Sequence, residues 1–257
     1  MSGIFLFLSG ICQRLRYPTD SFIVFYLRKE IVTMENKKMK IDAKLIVVLG
    51  MFCAVSYVVM LLSKLIPISV AGFLTFDLKD VIIAICGFMF GPLPAIIVSV
   101  IVSFIEMITV SSTGPIGLLM NVLSTCAFVV PAAIIYKYKK KFAGALIGAI
   151  AGVICMTIVM VLWNWLITPL YMGVAREVVV TMLVPTFLPF NLLKGGINAA
   201  AAVLLYKPIV TALRKARLVQ SGGSAAPKSS RTIAVTIVSI FVLATLILVV
   251  LVWTRII

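Results

Sequence analysis

Three polar residues with helical spacing stand inside one apolar stretch of this chain. Asn191, Lys194 and Asn198 occupy positions i, i+3 and i+7, which places their side chains on one face of a helix. A lysine at the centre of a bilayer costs roughly 2.5–3.5 kcal/mol on insertion scales, so this face is expected to meet a cavity or a ligand instead of lipid. Gly195 and Gly196 follow the lysine and leave space beside it. The stretch therefore predicts a site that binds a polar molecule within the membrane.

Three carboxylates also fall within or beside apolar segments. Asp77 and Asp80 stand at a helix start, where carboxylates can accept free backbone N–H groups, and the same residues could line the rim of a pocket. Glu106 lies near the end of another predicted helix, where it could pair with a cation or face the site. Because ionisable groups are expensive at this depth, Asp77 and Glu106 join Lys194 as candidate binding residues.

Carboxamides supply a second kind of polar group. Asn164 stands between Trp163 and Trp165. Its amide and that of Asn191 can each donate and accept hydrogen bonds, so the pair could recognise the carbonyl and N–H groups at the edge of a heterocycle. Nearby aromatic rings could stack on the face of such a ligand. Asn121, in the first turns of a helix with a Ser-Ser-Thr-Gly-Pro start typical of a capped N-terminus, is a further candidate.

The composition indicates the class of protein. Of the 257 residues, 63% are hydrophobic and 12% are charged, and the mean hydropathy is +1.22, values expected of an integral membrane protein. The net charge of +15 does not indicate a nucleic-acid partner, because the cations cluster at the ends of apolar runs. The chain has no histidine, no GxxxxGKS/T phosphate loop and five singly placed cysteines, so no enzyme active site, metal site or cofactor site is predicted.

Apolar runs and basic clusters together predict a multi-pass protein of the cell membrane. Basic clusters at 37–44, 137–141 and 207–217 are expected to face the cytoplasm. With a cytoplasmic amino terminus, the two later clusters each follow an even number of helices, and the end after the seventh helix is expected outside the cell. The seven predicted helices are 44–66, 81–90, 94–110, 116–136, 142–167, 184–206 and 232–253.

These segments divide the chain into four parts. Residues 41–217 hold six helices and every candidate site residue. Residues 218–231 form a polar linker that contains Gly, Ser and Ala, and residues 232–257 add one further helix. Residues 1–40 form an N-terminal extension without the features of a signal peptide, and translation is expected to begin within it, at one of two internal methionines.

The order of several short motifs is similar to that of a known family. Over residues 40–215 the combination resembles the riboflavin-specific substrate-binding subunit, or S component, of energy-coupling factor (ECF) transporters. The order and spacing over six helices carry the resemblance, because each motif alone is short. The motifs are Phe76-Asp77-Leu78-Lys79-Asp80, Gly87-Phe88-Met89-Phe90-Gly91-Pro92, Glu106, Ser112-Thr113-Gly114 with Gly117 and Asn121, Asn164 with Pro169 and Tyr171, and Phe190-Asn191-Leu192-Leu193-Lys194-Gly195.

The resemblance implies an all-α membrane fold, in which a six-helix S-component bundle precedes the appended seventh helix. It also implies vitamin uptake without catalysis: the bundle would bind riboflavin from outside in a pocket covered by the loop after the first helix. A transmembrane coupling (T) subunit and two cytoplasmic ATPases would then drive delivery inward. The family docks on the coupling subunit through small residues four apart on the first helix, where this chain has Gly50 and Ala54.

The resemblance further assigns roles to individual residues. The flavin ring of the family contacts the residues that correspond to Asn164, Asn191 and Lys194. An S component for another vitamin is the nearest alternative. A stand-alone secondary transporter would need broken helices or coupling carboxylates, for which Asp77, Asp80 or Glu106 could serve. An intramembrane enzyme would need a nucleophile pair, a histidine or metal ligands, which the sequence does not offer.

Overall fold

The computed structural model describes most of the chain between the predicted first and sixth helices, with a few residues of the C-terminal segment. Apart from Ala43, all of the described residues belong to one compact unit, Lys44–Ile257. The predicted N-terminal extension, the linker at 218–231 and most of the predicted seventh helix lie outside the described residues. The described ranges are 43–65, 69–70, 74–139, 142–215, 240 and 243–247.

Helices make up nearly all of this part of the chain, and the strands described form one short antiparallel ribbon. The predicted all-α class is confirmed. The elements in chain order are α1 (Ala43–Lys64), β1 (Ser69–Val70), β2 (Leu74–Thr75), α2 (Lys79–Phe90), α3 (Pro92–Thr109), α4 (Gly114–Tyr138), α5 (Phe142–Met172), α6 (Arg176–Met182), a π-helical turn (Leu183–Phe187) and α7 (Leu188–Lys215).

Five helical segments of the described chain are long and apolar enough to cross a bilayer. They are the helices α1, α3, α4 and α5 and the run Arg176–Leu213, which takes in α6, the π-helical turn and most of α7. The remaining helix, α2, has 12 residues and rises about 18 Å, which is less than the ~30 Å hydrocarbon layer. All of its residues from Lys79 to Phe88 are buried, so α2 lies inside the protein and not against lipid.

Three of the helix boundaries that differ from the predicted ones involve proline. The sixth helix was predicted to end at 206, but α7 continues through Pro208 to Lys215. The prediction ended the fifth helix before Pro169, but one proline removes a single backbone donor and α5 continues through it. The prediction also began the sixth helix as an ordinary α-helix. Instead, Leu188 N–H bonds to the carbonyl of Leu183, five residues back, in the π-helical turn. Pro185 and Pro189 cannot donate the usual bonds here, which accounts for the wider turn.

Helices α4 and α5 approach each other closely through glycine. A Cβ atom at Gly148 would lie 2.6 Å from the carbonyl oxygen of Ala132, and one at Gly152 would lie 2.3 Å from that of Phe128. A larger residue at either glycine would push the two helices apart. Phe128 is fully buried and belongs to the main hydrophobic core, so this contact lies deep in the bundle.

The two ends of the bundle differ in chemistry. At the tyrosine end, the ring of Phe88 lies 5.1 Å from that of Tyr136 and 5.8 Å from that of Tyr206, and the two tyrosine hydroxyls are hydrogen-bonded. Lys137 and Lys139 are exposed beside Tyr136. The opposite end, here called the polar end, is where α1, α3 and α5 end and α2, α4 and α7 begin.

Of the predicted seventh helix, residues 240 and 243–247 are described, and they are helical. Leu243 packs against the main hydrophobic core. A Leu246 methyl group lies 3.1 Å from the position that a Cβ of Gly196 would occupy, so the glycine lets this segment lie close to α7. The rest of the predicted span at 232–253 falls on residues outside the described ranges.

Candidate functional site

The segment that joins α1 to α2 packs against the start of α7. Its two strands pair in antiparallel register. Leu74 on the second strand is 3% exposed and packs with Val179, Phe187 and Phe190. The ring of Phe76 lies 4.7 Å from that of Phe190. These apolar contacts bring the residues that follow Phe76 to the first turns of α7.

Asp77 is the residue at which this segment meets the polar face of α7. The ammonium group of Lys194 donates a hydrogen bond to Asp77 Oδ2 over 2.9 Å. Asn198 Nδ2 donates to the backbone carbonyl of Asp77 over 3.1 Å. All three residues are buried. Two residues of the predicted polar face therefore hold the chain just before α2, inside the protein and away from lipid.

A second set of contacts surrounds Glu106. Lys79 Nζ lies 2.6 Å from Glu106 Oε2, and Lys64 Nζ lies 3.0 Å from Oε1. Asn121 Nδ2 donates to Oε2 over 3.1 Å. Lys79 Nζ also lies 3.9 Å from Asp77 Oδ2, so the two sets of contacts form one continuous chain of charges. The charged cluster consists of Lys64, Asp77, Lys79, Glu106 and Lys194.

Burial strengthens the electrostatic interactions of the charged cluster. Lys79 is 1% exposed, and Asp77 and Glu106 are each 4% exposed, so water and salt screen their interactions little. Each carboxylate lies between two lysines, and the signs alternate along the cluster. Removing one partner of such a pair is destabilising by about 3–5 kcal/mol, because it leaves a buried charge uncompensated. The cluster therefore ties α1, α2, α3 and α7 together at the polar end.

Asp80 lies in the first turn of α2, where it is buried. Thr125 Oγ1 donates to Asp80 Oδ1 over 2.6 Å, whereas Oδ2 has no hydrogen-bond partner within the described ranges. Asp80 therefore stands at the helix start as predicted, but neither aspartate is the N-cap of α2: the N-cap is Leu78, which makes no side-chain capping bond in the described part of the chain and whose N–H donates to Ser63 Oγ over 3.2 Å. Asp77 precedes the N-cap residue, and its carboxylate pairs with Lys194 through Oδ2. At α4, Thr113 is the N-cap and its side chain likewise makes no capping bond with the described residues.

The two carboxamides predicted to recognise a heterocycle are buried and bonded within their own helices. Asn164 Nδ2 donates to the carbonyl of Met160 over 2.7 Å, and its Oδ1 accepts from Thr168 Oγ1 over 2.8 Å. Asn191 Nδ2 donates to the carbonyl of Phe187 over 2.7 Å. Their exposed fractions are 0% and 2%. The carboxamides are therefore held in place locally, and their contact with a ligand stays a prediction.

A narrow crevice opens between the start of α4 and the end of α5. Its walls include Gly117 on α4 and Trp163, Thr168 and Tyr171 on α5, and Thr168 is the residue that bonds Asn164. The volume is about 10 Å³, room for about one water molecule. The indole of Trp163 gives the crevice an aromatic wall of the kind that can stack on a planar ring.

The structure brings together four of the six residues predicted to bind the ligand. Lys194, Asp77, Glu106 and Asn121 are all joined by hydrogen bonds or ion pairs through the charged cluster. The other two, the carboxamides of α5 and α7, are buried but are not bonded to the cluster in the described structure.

The predicted docking residues lie elsewhere on α1. Gly50 and Ala54 are exposed, and no described atom lies within 4 Å of the place where a Cβ of Gly50 would stand. Gly50 precedes Lys64 by 14 residues, about 21 Å along the helix. The docking surface and the charged cluster therefore occupy different parts of the same helix.

Lys79 and Lys64 were not among the predicted ligand residues, and Asn198 was predicted only as part of the polar face of the helix, yet each contacts a predicted ligand residue. A signal was present for Lys79, which stands between Asp77 and Asp80 in an otherwise apolar region, so a buried ion pair could have been anticipated. Lys64 stands at the end of an apolar run, where a lysine ordinarily anchors the helix end at the membrane–water interface. Only the folded structure reveals its carboxylate partner.

Fold and site together define a helical membrane protein that buries a cluster of ion pairs at one end. The profile of the family described as the substrate-specific component of ECF transporters matches residues 44–206, more than half of the chain. The chain therefore belongs to this family.

Similar proteins include two riboflavin transporters of known name. FmnP of Bacillus subtilis is 28% identical over 187 residues, which cover 68% of this chain and 98% of the relative. RibU of Staphylococcus aureus is 28% identical over 195 residues, which cover 73% of this chain and 98% of the relative. A solved S component of a bacterial ECF transporter is 28% identical with a TM-score of 0.57, and the match covers 66% of this chain and 98% of that structure. The predicted S-component fold is confirmed.

Proposed function

We propose that this chain binds riboflavin outside the cell and delivers it inward as the S component of an ECF transporter. Membership of the family supports a role in uptake, and the names of the relatives support riboflavin as the substrate. The chain spans almost the whole length of both relatives, so the comparison is not limited to a shared fragment. The protein acts as a binding subunit and not as an enzyme.

The observation that supports the choice of ligand is a set of buried acceptor atoms without hydrogen-bond partners beside the pair of Lys194 and Asp77. Asp77 Oδ1 and Asn198 Oδ1 have no hydrogen-bond partner in the described part of the chain, although both are buried. Unpaired buried acceptors are costly, by about 1–3 kcal/mol each, so a ligand that brings donors would be stabilised here. Riboflavin brings an imide N–H on its ring and several hydroxyl groups on its ribityl chain.

The remaining contacts would come from the carboxamides and aromatic residues at the same end. Asn164 and Asn191 would bond the polar edge of the flavin ring, and Lys194 would donate to a ring carbonyl or nitrogen. Trp163 would supply a stacking face. Glu106 and Asn121, which lie on the other side of Lys79 from Asp77, would contact the ligand from there. These roles are proposals that follow from burial, chemistry and the family resemblance.

Flavin binding at the crevice between α4 and α5 would require that crevice to widen. The crevice of about 10 Å³ is far too small for a three-ring ligand. The segment between α1 and α2 is the natural cover, because Leu74 and Phe76 attach it to α7 through apolar contacts that can part without breaking an ion pair. Its neighbour Asp77 would remain near α7 through Asn198.

The partners proposed are a T subunit and two cytoplasmic ATPases. Gly50 and Ala54 form a small-residue surface on α1, exposed next to the apolar residues Val47 and Val58, which suits close approach of another helix. The basic clusters near 137–141 and 207–217 would face the cytoplasm, which places the polar end outside. Vitamin capture and docking would then use separate surfaces.

Purification of the full chain in detergent tests the ligand directly. We expect a yellow preparation whose absorption spectrum and extracted mass identify riboflavin, and quenching of flavin fluorescence when riboflavin is titrated into ligand-depleted protein. Thiamine and biotin, added at the same concentrations, serve as controls for another vitamin specificity. Absence of riboflavin binding, together with saturable binding of another vitamin, would overturn the assignment of substrate while leaving the family unchanged.

A further inference from the structure

Lys79 is a buried cation of the charged cluster that the predicted flavin site did not include. It is 1% exposed and lies between two carboxylates, 2.6 Å from Glu106 Oε2 and 3.9 Å from Asp77 Oδ2. Glu106 also bonds Lys64 and Asn121, so Glu106 keeps donors of its own without Lys79. Lys79 is therefore not needed to compensate the charge of Glu106, and its position next to Asp77 points to a role with that second carboxylate.

We infer that Lys79 is a positioning residue that takes over Asp77 when Lys194 turns to the flavin. This role rests on the proposed function, because that function makes Lys194 a flavin contact. In the described structure Asp77 Oδ2 is bonded to Lys194 at 2.9 Å and lies 3.9 Å from Lys79. A shift of the carboxylate toward Lys79 by about 1 Å, the difference between these two distances, would exchange one ion pair for the other.

The exchange removes an electrostatic penalty from flavin binding. If Lys194 left Asp77 without a substitute, a buried carboxylate would be uncompensated, which is the costly way to break a buried pair. Lys79 is already desolvated and oriented toward the carboxylates, so the replacement needs little reorganisation. Asn198 bonds the backbone carbonyl of Asp77, so the backbone stays in place while the carboxylate turns. Lys79 thereby sets the affinity without touching the flavin.

A double-mutant cycle tests this role. Riboflavin is titrated into the full-length wild type, Lys79→Met, Asp77→Asn and the double variant, and the quenching of flavin fluorescence gives each dissociation constant. We expect Lys79→Met to weaken binding about tenfold or more, since Asp77 then has no second cation. In the Asp77→Asn background there is no carboxylate at position 77 that could be left without a cation, so adding Lys79→Met is expected to change the dissociation constant less than about twofold.

A conservative variant and the double variant separate positioning from general damage to the fold. Lys79→Arg keeps the charge, so its dissociation constant for riboflavin should lie within about threefold of the wild-type value. If the lysine mattered only for its shape, the arginine would not restore binding. If Lys79→Met does not fold, the charge-balanced double variant and Asp77→Asn still provide the decisive comparison. Equal affinities of these two proteins, together with tighter riboflavin binding by wild type and Lys79→Arg than by Asp77→Asn, support the inference, and a further tenfold loss in the double variant overturns it.

The outcome for the wild type keeps this inference distinct from the proposed function. No riboflavin binding by wild-type protein would reject the proposed substrate, whatever the variants do. Riboflavin binding by wild type with an unchanged affinity in Lys79→Met would reject the role of Lys79 alone. Equal losses on Lys79→Met in both backgrounds would also reject it, because Lys79 would then act independently of Asp77.

Discussion

Both ends of this bundle contain lysines close to polar partners, but the environment of those lysines differs. At the polar end, Lys79 and Lys194 are buried and paired with carboxylates on other elements. At the tyrosine end, Lys137 and Lys139 are exposed, and a part-buried polar contact described there is the neutral one between the hydroxyls of Tyr136 and Tyr206. Exposed cations at helix ends are typical of membrane topology, whereas buried cations require a partner or a ligand.

The comparison shows why the net charge of a membrane protein says little about its site. Most of the positive charge lies in clusters that flank helices, and it is the few cations within the bundle that point to ligand chemistry.

Removing the carboxylate shared by two lysines should have the largest effect. Glu106→Ala leaves Lys79 with only the more distant Asp77 and leaves Lys64 without its carboxylate. We expect a loss of about 3–5 kcal/mol in the free energy of unfolding, measured by denaturant titration in detergent. Glu106→Gln, which keeps the shape and the contact with Asn121, is the matched control and should lose less. Equal, small losses in both variants would show that the charged cluster contributes little to stability.

Truncating the lysine of the polar face should weaken ligand binding, and it should also lower stability because buried Asp77 loses its nearer cation. Lys194→Ala is expected to lower riboflavin affinity by about 1.5–3 kcal/mol, the range for a hydrogen bond to a charged group, while the protein still inserts. Titration with riboflavin measures the change. Lys44→Ala, which removes an exposed lysine outside the site, is the control and should bind as wild type does. An unchanged affinity in Lys194→Ala would remove this residue from the flavin site.

A substitution at the proposed docking surface should leave vitamin binding unchanged and weaken assembly. Gly50→Leu adds bulk where no described atom now lies within 4 Å, so the isolated protein should bind riboflavin normally. Its affinity for the coupling subunit is expected to fall by about 1–3 kcal/mol, the usual cost of overpacking, as measured by co-purification with the ATPase module. Gly50→Ala, the smallest change at this position, should assemble. Loss of riboflavin binding in Gly50→Leu would indicate misfolding instead.

The neutral contact at the tyrosine end should matter least. Tyr136→Phe removes one partner of the hydroxyl pair with Tyr206 but keeps the ring that packs against Phe88. We expect a loss of about 0.5–1.5 kcal/mol in unfolding free energy and no change in riboflavin affinity. Thermal unfolding and a riboflavin titration on the same preparation check both. A stability loss as large as that of Glu106→Ala would abolish the contrast between the two ends.

The helices of the described part were largely predictable, because long apolar runs with basic flanks determine them. Six predicted segments correspond to helices in the structure, including the short α2. The π-helical turn and the continuation of α5 through Pro169 were missed, because proline signals a change in the backbone without saying whether the helix stops, bends or widens.

The site was predictable by residue type but not by pairing. The cost of burying ions singled out Lys194, Asp77 and Glu106 from their positions in apolar segments. Which lysine meets which carboxylate depends on contacts far apart in sequence, such as the 117 residues between Asp77 and Lys194. Such contacts follow from helix packing, and no local pattern encodes them. The sequence therefore showed that Lys79 is a charge in an apolar region, but it did not show that Lys79 lies between Asp77 and Glu106.

The π-helical turn has a consequence for how this protein could change during evolution. A π-helical turn holds about one more residue than an α-helical turn, and one residue corresponds to a rotation of about 100° about the helix axis. Deleting one residue from Leu183–Phe187 would return the backbone to α-helical phase and swing Val179 around the axis relative to Lys194. Val179, which packs against Leu74, would then face a different direction. The strand ribbon would shift with it, and Asp77 would no longer lie next to Lys194. The phase of this single turn thus sets the angular alignment between the strand ribbon before α2 and the polar face of α7.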